Sequence, residues 1–177
     1  MSEYLSFETE RLLLRPMDLE DAPFLLELIN TPKWLQFIGD RKVRNLNDAE
    51  EYIKVKVLPQ LKRLGYGNYT LIRKSDQVKL GSCGIYDREG MEGVDIGFSM
   101  LPAYERQGYA YEAATCLIEA ARTRFGIEYL QGITIRENIA SQNLLKKLGL
   151  EFKEIIRLPD DPEDLMLFAM DLIDRPA

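Results

Sequence analysis

The feature that most constrains the fold is a long amphipathic helical pattern that lies between two strand patterns. From about residue 108 to residue 125, small and apolar side chains recur at helical spacing on one face. They are Ala110, Ala113, Ala114, Leu117, Ile118, Ala121 and Phe125. The segments "VDIGFSML" before this helix and "YLQGITIR" after it have the composition of strands. We therefore expect the apolar face of the helix to pack on a sheet.

The flanking segments extend this unit into a larger sheet. "TERLLLRPM" predicts a first strand that ends at Pro16, and "NYTLIRK" and "VKLGSCGIYDRE" predict two strands of a meander. "LEFKEIIRL" and "DLMLFAMDL" predict a closing pair. The expected fold class is α/β (α+β), a mixed, mostly antiparallel seven-stranded sheet with helices on both faces. No repeat or linker divides the chain, so residues 1–177 are expected to form a single domain.

Polar residues mark the starts of the other helices. Asp18 and Asp21 indicate a capping box that opens a helix through Asn30. Asn47 and Glu50 repeat this pattern before a helix that Pro59 should kink or interrupt ahead of Gly65. A short helix is expected to begin at Asn138 and to end at Gly149.

The long helix begins at Gln107-Gly108 and has no Ser, Thr, Asp or Asn at its start. Its first four N–H groups lack internal partners and lie at the positive end of the helix dipole. Gly108 has no Cβ, so a bulky anion can approach the backbone closely. Two interpretations remain open here. Either a phosphate or pyrophosphate binds these amides, or water satisfies them and Gly108 only makes a turn.

Composition excludes several classes of function. The formal charge of −6 argues against a nucleic-acid partner and fits a cationic one. Histidine is absent, and Cys83 and Cys116 lie far apart without a CxxC pattern, so no metal site and no His-dependent triad is expected. Neither a P-loop nor a G-x-G-x-x-G fingerprint occurs. Without a leader pattern or a long apolar run, the chain is expected to be soluble, cytoplasmic and free of membrane contact.

Three stretches carry a family resemblance: "TERLLLRPMDLEDAPFLLELIN", "VDIGFSMLPAYERQGYAYEAA" and "ENIASQNLLKKLGLEF". The second fits the pattern [QR]-x-x-G-x-[GA] through Gly108 and Ala110. The third fits N-x-x-S followed by K-x-G-[FL]. In this order and spacing the chain resembles, over nearly its whole length, the GNAT superfamily of acyl-CoA-dependent N-acetyltransferases, especially its RimJ/RimL-like branch.

The resemblance implies a binding site for acetyl-CoA. The main-chain amides that would hold the pyrophosphate of the coenzyme belong to Arg106, Gln107, Gly108, Tyr109 and Ala110. Main-chain groups of Phe98, Ser99 and Met100 would contact the pantetheine arm in a wedge between the strand that ends at Leu101 and the strand that ends at Arg136. Gly97 suits a bulge there. Asn138 and Ser141 would contact the coenzyme, with helix capping as the alternative role.

The chain departs from the family pattern at two positions. Glu105 stands where the signature has Gln or Arg, and a carboxylate there would repel a pyrophosphate unless it points away and Arg106 compensates. Leu145 stands where many relatives have a tyrosine that serves as general acid. The sequence therefore shows no obvious proton donor for the leaving thiolate.

Acyl transfer to an amine requires a neutral amine and a stabilised oxyanion. Asp95 is the first candidate for the base, directly or through water, although a solvent-facing residue on an alternating strand would look the same. The backbone amide of Phe98 or Ser99 is the candidate oxyanion donor. Cys83 has no basic neighbour in the sequence, so we interpret it as a buried strand residue and not as a nucleophile.

Substrate selection is expected from the two segments that the fold constrains least, "TPKWLQFIGDRKVRN" and "RLPDDPED". Trp34 and Phe37 of the first are either walls of an acceptor groove or core anchors. The acidic residues of the second either attract an ammonium group or a basic peptide, or form a solvated turn.

The predicted function is transfer of an acetyl group from acetyl-CoA to a primary amine by direct attack in a ternary complex. Family analogy favours a protein N-terminal amine of the ribosomal-protein type over a small-molecule amine. Two alternatives remain: a GNAT-fold module that binds acyl-CoA without turnover, and a nucleotide-binding α/β protein that uses the same uncapped helix. The sequence leaves a homodimer open.

Overall fold

The computed structural model describes residues 3–173 and contains one eight-stranded sheet in the order β1-β2-β3-β4-β5-β6-β8-β7. The ends of the expected domain, residues 1–2 and 174–177, lie outside this range. The strands are β1 (Phe7–Glu8), β2 (Leu12–Pro16), β3 (Asn68–Arg73), β4 (Lys79–Tyr86), β5 (Val94–Met100), β6 (Tyr129–Ile135), β7 (Glu151–Ile156) and β8 (Leu165–Asp171). The α-helices are α1 (Ala22–Leu28), α2 (Pro32–Phe37), α3 (Leu46–Tyr52), α4 (Leu58–Leu64), α5 (Tyr109–Thr123) and α6 (Ile139–Leu148).

The sheet is mixed, as predicted: β5 and β6 are parallel and the other neighbouring strands are antiparallel. It has eight strands where seven were expected. The additional strand is β1, which pairs with β2 across a turn closed by the hydrogen bond from Thr9 N to Leu12 O at 2.9 Å. Two residues are too short for an alternating pattern to show in the sequence.

Helix α5 packs its apolar face on one side of the sheet and confirms the predicted stripe. Ala113, Ala114, Leu117 and Ala121 are fully buried there, in one cluster with inward side chains of β2, β3 and β4. Helix α6 joins the same cluster through its buried leucines. Burial of this cluster is the main hydrophobic contribution to the fold. None of the helices in residues 3–173 is long and apolar enough to cross a membrane.

The helices before β3 form a second cluster around Met17, Leu25 and Ile53. The predicted capping box of Asp18 and Asp21 is confirmed, although it opens a 3-10 turn, Leu19–Asp21, that leads into α1.

The helix start predicted at Asn47 is wrong by two residues. Helix α3 begins at Leu46, and its cap is Asn45, whose Oδ1 accepts a hydrogen bond from Asp48 N at 2.8 Å. Asn45 has the extended backbone that a cap requires, whereas Asn47 already lies in the first helical turn.

The predicted interruption near Pro59 is confirmed. A π turn, Ile53–Val57, joins α3 to α4, and Leu58 N donates to Ile53 O. Pro59, which has no N–H, follows in the first turn of α4, and the helix ends at Gly65 with φ +83°.

Asp21 connects α1 to three strands. Its carboxylate is fully buried and lies 2.7 Å from both Arg15 Nη2 and Lys79 Nζ, and it accepts a hydrogen bond from Thr70 Oγ1 at 2.9 Å. Burial alone raises the pKa of Asp21, but the hydrogen bonds from Arg15, Lys79 and Thr70 and from the Asp18 amide outweigh it and leave the pKa below its usual value. Arg15 and Asp21 of the "TERLLLRPMDLED" stretch therefore have a structural role.

We predict that Asp21→Ala destabilises the protein by about 3 kcal/mol, because it leaves two partly buried cations without their carboxylate. The folded-state pKa of Asp21 is depressed, so its contribution is present above the unfolded-state pKa and is lost as pH falls through the folded-state pKa. Urea unfolding at neutral and acid pH measures both effects. Asp40→Asn is the control, since it removes a carboxylate paired with Arg44 on the exposed surface. Equal effects of the two substitutions would contradict this assignment.

Candidate functional site

Strands β5 and β6 pair only at their starts. The parallel register joins Val94 to Leu130 and Asp95 to Gln131, and no further pairs follow although the strands continue to Met100 and Ile135. The paired end is held by the hydrogen bond from Gln131 Nε2 to Glu92 O at 2.6 Å. The predicted wedge between these two strands is thereby confirmed.

The direction of each β5 amide follows from its pairing with β4. Leu101 N donates to Leu80 O at 2.8 Å, so in the alternating antiparallel ladder Ser99 also bonds towards β4. The amides of Phe98 and Met100 then face β6, across the wedge. Of the two candidate oxyanion donors, Phe98 offers its N–H to the wedge, whereas Ser99 presents its side chain to the neighbouring cavity.

The N-terminus of α5 has no side-chain cap within residues 3–173, as the sequence predicted. Gly108 is the N-cap residue with φ +82°, and the first bond of the helix runs from Glu112 N to Gly108 O at 3.0 Å. Arg106 also has a left-handed backbone, with φ +60°. Left-handed residues in a tight turn gather successive N–H groups into an anion-binding concavity. Residues Arg106, Gln107 and Gly108 are exposed, so this concavity is open to solvent.

Arg11 contacts the other side of this turn. The sequence patterns do not indicate this role of Arg11. Its Nη1 donates to Gln107 O at 3.0 Å, its Nε pairs with Glu112 Oε1 at 2.8 Å, and its guanidinium lies 4.1 Å from the centre of the Tyr109 ring. Glu112 lies in the first turn of α5, where its negative charge would oppose a bound anion. Arg11 neutralises that charge and fixes the turn.

Glu105 is turned towards α2. Its carboxylate accepts a hydrogen bond from Lys33 Nζ at 2.6 Å. Lys33 therefore reduces the repulsion that the position of Glu105 in the signature suggested, in the role that was expected of Arg106.

Helix α6 borders the wedge on the β6 side. Asn138 Oδ1 caps the helix by accepting from Ser141 N at 3.2 Å, and both residues line the cavity next to the wedge. Leu145 is 1% exposed, and its Cδ2 would lie 2.6 Å from a Cβ added at Gly132. An apolar side chain packed on a glycine thus fills the position that many relatives give to tyrosine.

A cavity of about 750 Å³ continues from the wedge to the face of the sheet opposite α5. Trp34 and Phe37 of α2 form part of one wall, and Asp160 and Asp161 of the β7–β8 loop form part of another. The two segments expected to select the substrate therefore line one cavity together with the wedge. Phe37 is partly buried and lines the cavity, which fits the groove interpretation. Trp34 also packs against the cluster around Met17, Leu25 and Ile53, so it is a core anchor as well as a wall of the cavity.

The bulge expected at Gly97 is absent, because β4 and β5 keep one register through the pair Gly84 and Gly97. The two glycines instead make room for the ring of Tyr86. A Cβ at Gly84 would lie 2.6 Å from this ring, and a Cβ at Gly97 would lie 2.8 Å from it. Tyr86 Oη donates to Asn68 Oδ1 at 2.9 Å. Tyr86 therefore lies flat on the sheet and lines the cavity.

Asp95 is 1% exposed, so its interpretation as a solvent-facing residue is wrong. Its Oδ1 accepts a hydrogen bond from Arg88 Nε at 2.7 Å, and its Oδ2 has no hydrogen-bond partner among residues 3–173. Burial raises the pKa of Asp95 above its usual value of 3.8, although Arg88 opposes the change. The sequence patterns do not single out Arg88, which lies in the irregular segment after β4.

The structure confirms the interpretation of Cys83 as a buried strand residue. It is 0% exposed in the cluster under α5, and burial raises the pKa of its thiol. Among the described residues, no three acidic or cysteine side chains converge in a way that could hold a metal ion.

Residues 11–151 match the family model described as "Acetyltransferase (GNAT) domain". The chain is 27% identical over 152 residues to the uncharacterized N-acetyltransferase p20 of Bacillus licheniformis, and the aligned region covers 84% of each of the two chains. Its fold is similar to that of RimL, a ribosomal L7/L12 alpha-N-protein acetyltransferase in complex with coenzyme A, with a TM-score of 0.79, 19% identity and coverage of 94% and 98%. An acetyltransferase from Salmonella typhimurium that modifies the N-terminal serine of L7/L12 gives a TM-score of 0.76 at 18% identity, with coverage of 92% and 96%.

The family match covers most of the chain, and the solved structures share the fold described above. The open helix N-terminus, the wedge and the cavity beside it lie within the matched residues or border them. On this evidence the chain belongs to the GNAT family and is an acetyl-CoA-dependent N-acetyltransferase.

Proposed function

We propose that this chain acetylates a primary amine in a ternary complex, with acetyl-CoA in the wedge and the acceptor in the cavity on the face opposite α5. The observation that carries this proposal is the continuity of the wedge with the 750 Å³ cavity. Two reactants can then approach the same point from two sides. Such alignment accounts for much of the rate in a reaction of two bound substrates.

The residues at the wedge fit the coenzyme. The amides of residues 106–110 would bind the pyrophosphate, since they combine N–H groups without a helical partner with the positive end of α5. The β6-facing amides of Phe98 and Met100 would pair with the amide groups of pantetheine, and Asn138 and Ser141 would contact it from α6. When bound, acetyl-CoA supplies the activated acetyl thioester.

The β5 backbone would stabilise the reacting carbonyl oxygen. Phe98 N–H faces the wedge at the point where the strands have separated, so we assign the oxyanion donor to this amide rather than to Ser99. The Ser99 side chain lines the cavity and would help to position the acceptor.

Asp95 would receive the proton that the amine loses, through water, because its own carboxylate is enclosed. As the C–N bond forms and the C–S bond breaks, coenzyme A would leave as the thiolate and take its proton from solvent. The raised pKa of Asp95 makes it a stronger base than an ordinary aspartate. At pH 7 roughly a tenth of an α-amine, with a pKa of about 8, is already neutral, but far less of a lysine is. This difference and the named activity of RimL favour an α-amine acceptor, on a protein N-terminus or on a small molecule.

The first test is thiol release from acetyl-CoA in the presence of protein N-terminal peptides and small amines. We expect release with at least one amine, and none without amine beyond slow hydrolysis. Tight coenzyme A binding without thiol release for any amine would instead support a GNAT-fold module that binds acyl-CoA without turnover.

We predict that Gly108→Ala weakens coenzyme A binding, measured by calorimetry. The added Cβ enters the open turn, lies 3.3 Å from Arg11 Nη2 and strains a residue at φ +82°. Gly126→Ala is the matched control, because Gly126 has φ +65° near the other end of α5 and open space around it. Both substitutions should cost about 1 kcal/mol of stability. If both weakened coenzyme A binding equally, the assignment of the turn would fail.

A second prediction concerns the pH profile of kcat/KM. As pH is lowered through the pKa of the amine, kcat/KM should decrease. It should decrease more steeply once pH is lowered through the pKa of Asp95, because Asp95 acts only when it is deprotonated. Burial places this second break above 3.8. Asp95→Asn should remove the break and lower the rate by about a hundredfold or more.

Asp87→Asn is the control for that profile. Asp87 lines the same cavity, but its carboxylate pairs with exposed Arg63. It should keep the second break. An Asp95→Asn variant with an unchanged rate between about pH 6 and pH 9 would exclude Asp95 as the base.

A further inference from the structure

Arg88 presents unpaired hydrogen-bond donors at the cavity. Its Nε is held by Asp95, but among residues 3–173 its Nη1 and Nη2 have no hydrogen-bond partner. The side chain is 34% exposed and lines the cavity. A guanidinium carries five N–H donors in a planar fork, so most of the donors of Arg88 remain available.

The neighbours of Arg88 fix the direction of this fork. The guanidinium lies 4.9 Å from the centre of the Tyr86 ring, which rests on the pair Gly84 and Gly97 and is anchored by Asn68. Asp95, which is almost fully buried, fixes Nε from the other side. A side chain that is already immobilised loses little entropy when it binds a ligand.

The cavity contains charges of both signs. Arg41 and Lys56 also line it and have no carboxylate partner among residues 3–173. On the acidic side, Glu89, Asp160 and Asp161 line it and have no cationic partner within that range. The unpaired side chains of the lining therefore have both signs, which suits an acceptor with one positive and one negative group.

We infer that the acceptor carries a carboxylate close to its amine and that the Nη groups of Arg88 bind it. The planar fork of one arginine matches the two oxygens of a carboxylate. This inference rests on the proposed function and narrows its acceptor. The carboxylate belongs either to a free amino acid or to an acidic side chain near the N-terminus of a peptide, and the two sources are separated by the substrates tested.

The test compares acceptors with and without this charge, and kcat/KM is expressed per neutral amine, because a carboxylate next to an α-amine also raises the pKa of that amine. Amino acids with small, branched, aromatic, acidic and basic side chains are each paired with the corresponding amide, and peptides with Glu or Asp at the second position are paired with Gln or Asn peptides. We expect kcat/KM for the best acid to exceed that of its amide by about tenfold to a hundredfold, as for a charge-assisted hydrogen-bond pair. A ratio near one or below it in every pair would overturn the inference.

Arg88→Gln should reduce this ratio to near one. The ratio is the useful quantity, because any indirect effect on Asp95 changes both members of a pair equally. Arg63→Gln is the matched control: it removes the same charge from the same region, but Arg63 does not line the cavity. If Arg63→Gln lowered the ratio as much, the preference would reflect the general field of the protein and the inference would be wrong.

Binding without turnover provides a second readout. Trp34 is the single tryptophan of the chain and lines the cavity, so its fluorescence reports occupancy. In coenzyme-loaded protein, N-acetyl amino acids should change the fluorescence at lower concentrations than their amides, and Arg88→Gln should remove this difference. Equal responses, or none to any probe, would overturn the inference even where thiol release shows that the enzyme is active. Absence of both thiol release and coenzyme binding would overturn the proposed function itself.

Discussion

The structure depends on a gap inside its own sheet. Strands β5 and β6 share two pairs of residues and then separate, so main-chain N–H and C=O groups on the facing edges have no strand partner. Such groups must be satisfied by water or by a ligand, because unpaired backbone donors and acceptors are costly when they are buried. The crossover helix α5 begins beside the same gap with its own amides uncapped. The failure of pairing produces the slot, and the left-handed turn at Arg106 and Gly108, a few residues after β5, produces the anion site.

The closed end of the wedge is as important as the open one. Gln131 bonds to the loop before β5, and Leu145 packs on Gly132 in β6, so the start of each strand is fixed by tertiary contacts. Beyond that point β4 is the only strand within residues 3–173 that pairs with β5, and it does so in one uninterrupted register. Because this register contains no bulge, alternate amides, at Phe98 and Met100, point across the gap.

Local patterns in the sequence predict the elements and the missing cap at Gly108, because periodicity and capping chemistry are properties of neighbouring residues. They do not distinguish Asn45 from Asn47 as a cap, since the choice depends on which residue has an extended backbone. The sequence patterns also explain the glycine at position 97 wrongly, by a bulge that the structure does not contain. Its lack of a side chain serves the ring of Tyr86, which comes from the adjacent strand. Strand β1 is too short to leave a periodic signal.

The charges of the site are the part that sequence reasoning resolves least. Glu105 and Glu112 each look unfavourable beside a pyrophosphate, yet Lys33 and Arg11, which are distant in sequence, pair with them. Asp95 looks like a surface residue on an alternating strand, yet it is buried against Arg88. In each case the partner lies in another helix or in a loop, so only the folded structure shows which charges remain free.

The most direct test of this account is a titration of ¹⁵N-labelled protein with coenzyme A, observed through the amide resonances. The account predicts that the largest shifts belong to the amides of residues 106–110, with Phe98 and Met100 shifted more than Ser99, whose N–H faces β4. Large shifts centred elsewhere, or shifts of Ser99 that exceed those of both neighbours, would contradict the central claim that this edge of β5 and this end of α5 together bind the coenzyme.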